Sequence, residues 1–174
     1  MLDRTPRWVP FYTAPRAEKQ VLRLLERDGR TAYLPLQRKL RKWHDRKKWV
    51  DFPLFSSYIF VKIKSTELYY IQNTMGVVGP VRFGGEVATI SDREIDNVKL
   101  LIDSQKELFT QNINSLKKGT RVRLCSGAFD GMEGELISNN KNGNFMVRIE
   151  AISAGIVVQM ESELLQNIDD ETQP

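Results

Sequence analysis

The sequence predicts an α+β protein, with an N-terminal antiparallel sheet flanked by helices and then a small all-β barrel. Three observations point there. Up to about residue 103, aromatic and β-branched runs alternate with segments whose apolar residues recur at helical spacing. After residue 116 the apolar pattern switches to period two, the spacing of strands. Between them, residues 104–115 are polar and without strong periodicity, and read as a linker on which Leu108 and Phe109 are candidates to dock on a neighbouring surface. The predicted organisation is therefore a domain over 5–103, a linker over 104–115 and a second domain over 116–170.

Each element has a local reason. Trp8 to Thr13 reads as a short strand. Thr13 is then placed to cap a helix, with Pro15 in the first turn, where its missing N–H costs nothing. Ala17, Val21, Leu24, Leu25 and Asp28 share one helical face, Arg16, Lys19, Arg23, Arg27 and Arg30 lie off it, and Gly29 ends the helix. A second strand starts at Tyr33-Leu34-Pro35-Leu36 and runs through a basic segment to a turn near His44-Asp45-Arg46. The returning strand ends in Pro53 to Ile63, whose β-branched and aromatic density predicts a central, largely buried position. Leu68, Ile71 and Met75 suggest a helix over 66–74, ended by Gly76, Gly79 and Pro80. Val81 to Phe83 is a short strand before a Gly84-Gly85 turn, with Val87 to Ile90 as a further candidate. Ser91-Asp92-Arg93-Glu94 is a capping box ahead of Ile95, Val98, Leu101 and Ile102 at helical spacing. In the second domain, Arg121 to Leu124, Phe145 to Ile149 and Ile156 to Met160 alternate as strands, and Asn139 to Asn144 contains an Asn-Gly turn signal.

Composition closes several functional classes. The chain is 41% hydrophobic and 28% charged, as expected of a globular protein with a real core. Cys125 and His44 are its only cysteine and histidine, so no internal disulfide and no Cys/His zinc site can form, and the chain reads as an intracellular, cytoplasmic protein. No run approaches the length of about 20 apolar residues that spans a bilayer. There is no P-loop, no dinucleotide fingerprint and no carboxylate pair in an acid-base context, so neither catalytic residues nor cofactors are expected.

The charge is unevenly spread. Residues 1–64 hold 16 Lys and Arg against 6 Asp and Glu, a local charge of +10, whereas the other 110 residues hold 10 against 16, or −6. Such asymmetry suggests that the first part meets a polyanion. The densest run, Arg38 to Lys48, carries seven cations in eleven positions. Clustered cations release counterions from phosphates, and Trp43 and Trp49 are positioned to stack on bases. The competing reading is a solvated hairpin tip, the commoner fate of a charge run.

Two motifs carry a family resemblance. Gly119 to Ile137, with its strand, Gly127-Ala-Phe-Asp-Gly131-Met-Glu-Gly134 loop and second strand, closely resembles a KOW motif, which implies an SH3-like barrel. Trp8 to Thr13 with its helix, Tyr33-Leu-Pro, Pro53 to Val61 and Asn73 to Gly84 resemble the N-terminal domain (NGN) of NusG-type transcription factors. The resemblance spans roughly residues 7–170. Leu34 to Arg38, the basic hairpin and Pro53-Leu-Phe55 look closer to the specialised RfaH- and UpxY-like antiterminators.

The resemblance implies a monomeric, non-enzymatic factor that binds RNA polymerase and suppresses pausing and termination, with capsular polysaccharide operons as the UpxY-like target. By motif position, Tyr12, Phe55, Tyr58, Phe60 and Phe83 match the patch that grips the polymerase clamp helices, with core packing as the alternative role, above all for Phe60. Arg27, Thr74 and Met75 match positions that meet non-template DNA, although family members often carry a basic residue where this chain has Met75. Lys42, Arg46, Lys47 and Lys48 on the basic hairpin are candidate contacts to the phosphates of DNA or nascent RNA. Glu67-Leu-Tyr-Tyr70 departs from the His-Thr motif of RfaH. In the second domain, Ile152 matches the residue that meets a ribosomal protein or a termination factor. Two rival readings remain: a ribosome-associated, KOW-containing RNA-binding protein, and a nucleic-acid enzyme using His44 as general base.

Overall fold

The computed structural model describes residues 5–42, 44–104, 106–114, 119–125, 127–138 and 142–168. The chain divides into two compact units, Met1–Ile95 and Asp96–Pro174.

The first unit is built on strand β1 (Arg7–Thr13), helix α1 (Glu18–Arg27), strands β2 (Thr31–Tyr33), β3 (Leu36–Lys42), β4 (Lys47–Pro53) and β5 (Tyr58–Ile63), helix α2 (Leu68–Gln72) and strands β6 (Val77–Pro80), β7 (Arg82–Phe83) and β8 (Glu86–Val87). β2, β5, β1 and β6 form an antiparallel sheet in that order. Period-two alternation sends Val9 and Phe11 of β1 and Ile59, Val61 and Ile63 of β5 into one cluster with Val21, Leu25 and Ile71 of the helices. Each such side chain, fully buried, contributes about 1.5–3 kcal/mol, so this face holds the unit together. Helix α3 (Asp92–Asp103) starts in this unit and contains the point of division. Its capping box is made in full: the Glu94 N–H donates to Ser91 Oγ at 3.2 Å and the Ser91 N–H to Glu94 Oε2 at 2.9 Å.

Several boundaries differ from the sequence expectation. Thr13 is a buried strand residue, not a cap, because it is the last residue of β1, paired to Ser57 through its N–H at 2.9 Å, and the N-cap of α1 is Ala17, four residues on. The chain then turns through Arg16 at φ 65°, and α1 begins only at Glu18. The single returning strand expected through Ile63 is two strands, since Ser57 at φ 63° breaks the extended chain between β4 and β5. β2 and β3 are likewise separate, with the Leu54 N–H bonded to the Pro35 carbonyl at the gap. β6 was not expected, because Gly79 and Pro80 read as helix breakers. As the edge strand of its sheet, β6 tolerates a proline.

The second unit contains β9 (Leu108–Asn112), β10 (Thr120–Leu124), β11 (Glu133–Ser138), β12 (Asn142–Ile149), β13 (Ala154–Glu161) and β14 (Leu165–Asn167), with short 3₁₀ turns between. They form one antiparallel sheet in the order β14-β10-β11-β12-β13-β9. β9 lies inside the expected linker. Two buried anchors bracket its polar stretch, Leu108 at its start and Ile113 just past its end, and Ile113 packs with Met146 and Val157. The Asn142-Gly143 pair is also in a strand, opposite Glu161 and Met160, rather than in a turn. Residues 139–141 of that expected turn lie outside the described residues.

Candidate functional site

Side chains of β1 and β5 that point away from the α1 core form an aromatic strip. Tyr12 stands directly opposite Tyr58, with ring centroids 5.0 Å apart. Tyr12 is 40% exposed and Tyr58 half-buried. Two residues along β5 on the same face, Phe60 meets the ring of Phe55 edge to face at 6.0 Å, and both are buried. Of the five aromatic candidates, then, Tyr12, Tyr58 and Phe83 have accessible surface. Phe55 and Phe60 have essentially none and act as core packing against each other. Phe83 lies at the exposed end of β7, in the hairpin that follows the strand paired with Tyr12. Burial, then the hydrogen bond with Tyr12, pushes the Tyr58 hydroxyl up to about 12.

Sequence reasoning missed the residue that positions this pair. Glu18, in the first turn of α1, is buried, and its Oε1 accepts the Ser57 N–H at 2.7 Å. That bond holds the left-handed Ser57 immediately before Tyr58. An acidic residue in a first helical turn reads as an ordinary dipole partner, so nothing in the sequence distinguished it.

The basic run forms the β3–β4 hairpin, with Lys42 opposite Lys47, Arg41 opposite Lys48, Leu40 opposite Trp49 and Arg38 opposite Asp51. Arg38 to Lys42 and His44 to Trp49 are exposed wherever described. Arg38 lies over the Trp49 ring at 5.9 Å and Arg41 over Phe52 at 5.3 Å. At the hairpin base, Lys19 Nζ donates to the Asp51 carbonyl at 2.7 Å, tying α1 to β4. His44 is exposed near the tip, and Trp43 lies outside the described residues.

Arg27, Thr74 and Met75 are not brought to one spot. Gly76 packs against Val21 and Ala17, which sets the Thr74–Met75 segment beside the first half of α1, whereas Arg27 is its last residue. Ala17 and Arg27 are about 15 Å apart along the helix axis. Met75 is exposed, as is Arg27, whose Nε reaches Asp28 Oδ1 at 3.3 Å. The end of α1 forms an unanticipated network with α2. The Tyr70 hydroxyl donates to Asp28 at 2.9 Å, and Arg30 stacks on Tyr70 at 4.6 Å and pairs with Glu67. The Tyr70 hydroxyl, then Arg27, holds the Asp28 carboxyl below its ordinary value. The Lys64 backbone N–H, then Arg30, does the same for Glu67. Glu67-Leu-Tyr-Tyr70 therefore supplies struts between two helices.

In the second unit, Ile152 ends a 3₁₀ turn before β13 and is buried at 7% exposure, not displayed. The large exposed apolar side chains of this unit's described residues are Leu100 on α3 and Phe109 on β9. The glycines of the expected turn have the two roles that the motif requires: Gly127 and Gly131 adopt φ of 70° and 78°, and Gly134 lies against the Phe145 ring. Cys125 is exposed, its thiol donating to Gln166 Oε1 at 3.1 Å. A small cleft of about 190 Å³ lies at the far end of β1 from Tyr12, lined by Arg7, Val9, Ile63 and Leu68 among others. Among the described residues, no group of three His, Cys, Asp or Glu side chains is placed to hold a metal ion, and no helix is long and apolar enough to cross a membrane.

Comparison with known proteins decides the family. The model for NusG, described as transcription termination factor nusG, matches residues 6–99, more than half of the chain. The chain belongs to the NusG family. No curated protein gives a significant match. Among solved structures, the fold is similar to one described as "Domain interaction in Thermotoga maritima NusG", at 18% identity and a TM-score of 0.56, covering 94% of this chain and 98% of that one. A structure described as "MjSpt4:Spt5 complex conformation B" aligns at 15% identity over 92% of this chain and 96% of that one, with a TM-score of 0.31. NusG-family factors act in transcription, bind RNA polymerase and are non-catalytic.

Proposed function

We propose that this NusG-family chain is an elongation and antitermination factor of the specialised, RfaH- or UpxY-like kind, acting on particular operons of the capsular polysaccharide type. In this reading the Tyr12–Tyr58 pair, with Phe83 beside the same strands and Phe55 and Phe60 as core packing, grips the polymerase clamp helices. The hairpin cations Lys42, Arg46, Lys47 and Lys48, and separately Arg27 and the Thr74–Met75 segment, meet nearby DNA or nascent RNA. The second unit, as a KOW-type SH3-like barrel, engages a ribosomal protein or a termination factor. By holding the closed clamp more tightly than the open one, the factor shifts polymerase toward its processive state.

The observation that carries the reading is the aromatic pair. Two tyrosines 5.0 Å apart lie on the outward side of the sheet, and the same face of β5 continues into Phe60, which packs edge to face on Phe55. That is the amphipathic surface expected of an interface hot spot. The test is co-purification with RNA polymerase followed by run-off transcription on templates with and without a candidate leader. Read-through that rises only on leader templates, and is lost in Tyr12→Ala with Tyr58→Ala, supports the reading. Recovery with ribosomal particles in a polymerase-free fraction overturns it.

A further inference from the structure

We propose that one face of the β3–β4 hairpin is a stacking platform for single-stranded nucleic acid, with Trp49 receiving a base and Lys42 and Lys47 receiving the adjacent phosphates. This deepens the reading that the hairpin meets nucleic acid, and rests on it.

The register divides the hairpin into two chemically different faces. Residues directly opposite one another project to the same side. One face therefore carries Lys42 and Lys47 toward the tip, Leu40 and Trp49 in the middle, and Arg38 and Asp51 toward the base. The other carries Arg41 and Lys48, then Lys39 and Val50, then Gln37 and Phe52. An arginine lies over the aromatic ring on either face, and the difference is exposure: on the second face Phe52 is half-buried. On the first face Trp49 is 56% exposed and Leu40 42%, a large apolar pair displayed where the rest of the hairpin is cationic.

Two features make a base and its phosphates the occupant that fits. Lys42 and Lys47 are directly opposed like charges, and neither has a carboxylate within ion-pair distance among the described residues. Opposed like charges cost stability in a bare ladder, and an anion between them removes that cost. They sit one cross-strand step from Trp49, or two residues along the strand, which is about 6.8 Å. Arg38, at 5.9 Å over Trp49, adds a third cation on the same face beside the ring. An exposed indole flanked by cations is the arrangement that takes unpaired bases without reading their sequence. A duplex keeps its bases stacked within the helix and offers this face only phosphates.

The test is fluorescence anisotropy of labelled oligo-dT, oligo-U and a duplex of equal length with the full chain, over a salt series. The expected result is tighter binding of the single strands than of the duplex. Trp49→Ala should weaken single-strand binding about tenfold and leave duplex binding unchanged, with Trp49→Phe recovering most of the loss. Lys42→Ala with Lys47→Ala should lower the single-strand salt slope by about 1.4, or about 0.7 per phosphate lost. Circular dichroism checks that each variant is folded, and the lysine pair tests the face independently of the tryptophan. If Trp49→Ala leaves single-strand affinity intact while Lys42→Glu with Lys47→Glu weakens single strands and duplex equally, the hairpin clamps phosphates without stacking. The platform is then wrong and the nucleic-acid reading stands. If the charge reversal changes neither, both fall. Loss of polymerase binding in Trp49→Ala with oligonucleotide binding unchanged would make the platform a protein contact, which also overturns the proposal.

Discussion

The Glu18 carboxylate accepts the Ser57 backbone N–H at 2.7 Å, so the first turn of α1 fixes the residue that leads into Tyr58. Ser57 needs fixing because it sits at φ 63°, where a non-glycine residue is strained. Its carbonyl is engaged as well, by the Thr13 N–H, so both backbone groups of one residue register β1 and α1 against the start of β5.

Glu18→Ala leaves the Ser57 N–H without its acceptor in a buried setting and should cost about 1–3 kcal/mol. Glu18→Gln keeps an acceptor oxygen and should cost less. Ser57→Gly should stabilise slightly, or at most be neutral, since relief of the strained φ offsets added chain entropy. Tryptophan emission during urea unfolding reads these changes, because Trp8, Trp43 and Trp49 all lie in the first 95 residues. Equal midpoints for the wild type and Glu18→Ala would show that the bond does not hold the turn.

The Tyr58 titration gives a second prediction. Its hydroxyl is pushed up to about 12 from an ordinary value near 10, by burial first and by Tyr12 second. The folded state therefore holds the proton more tightly than the unfolded one. The resulting stability is fully present below pH of about 10 and is lost as pH rises toward about 12. Tyr70 is raised as well, by its bond to Asp28, so in a Tyr70→Phe background ultraviolet titration of tyrosinate should show one late-titrating group, and Tyr12→Phe should bring it down toward the ordinary range. A late group that persists unchanged in Tyr12→Phe would assign the whole shift to burial.

The glycines of the KOW-like turn should fail for different reasons. A methyl at Gly134 would stand 2.5 Å from the Phe145 ring and 2.6 Å from the Met146 carbonyl oxygen, and the carbonyl cannot move without breaking the sheet. A methyl at Gly127 meets nothing within 4 Å, and its only penalty is the positive φ. Gly134→Ala should therefore cost about 3 kcal/mol or more, and Gly127→Ala about 1 kcal/mol. Hydrogen exchange of β11 and β12 amides measures both. Equal losses would mean that conformational freedom, not close approach, is what both positions require.

Where the sequence and the fold agree, a periodic or local signal was strong. The capping box at Ser91 and Glu94, the β-branched and aromatic density of Tyr58 to Ile63 and the tight glycine turn each specify geometry through neighbours in the chain. What escaped detection depends on distant partners. β6 is legible as a strand only once β1 is beside it, because Gly79 and Pro80 argue against any regular element on their own. β9 reads as linker because its five residues expose all but Leu108, and what makes it a strand is the β13 edge. Residue type also misjudged exposure. Phe55, Phe60 and Ile152 have the side chains of a docking patch, yet all three are buried, and period two cannot say which face of a sheet is covered. Glu18 illustrates the limit most plainly, since its role exists only through an amide 39 residues away.

A buried ion pair in the second unit supplies the last prediction. Arg148 grips Glu135 through two bonds, Nε at 2.5 Å and Nη2 at 2.8 Å, with about an eighth of either side chain exposed. Glu135 also accepts the Gly119 N–H at 2.9 Å, so one carboxylate joins β12 to the start of β10 from its place on β11. Desolvation makes such a pair a poor source of net stability, but it makes either partner alone expensive to leave behind. Arg148→Met takes the guanidinium from a mostly buried carboxylate and should cost about 1–3 kcal/mol, whereas adding Glu135→Gln removes the charge while keeping an acceptor for Gly119. The double variant should therefore recover more than half of the single variant's loss. Hydrogen exchange of the β10–β12 amides reads this unit directly, where the tryptophans do not. A double variant as unstable as Arg148→Met would mean that the bidentate geometry, and not the stranded charge, carries the energy.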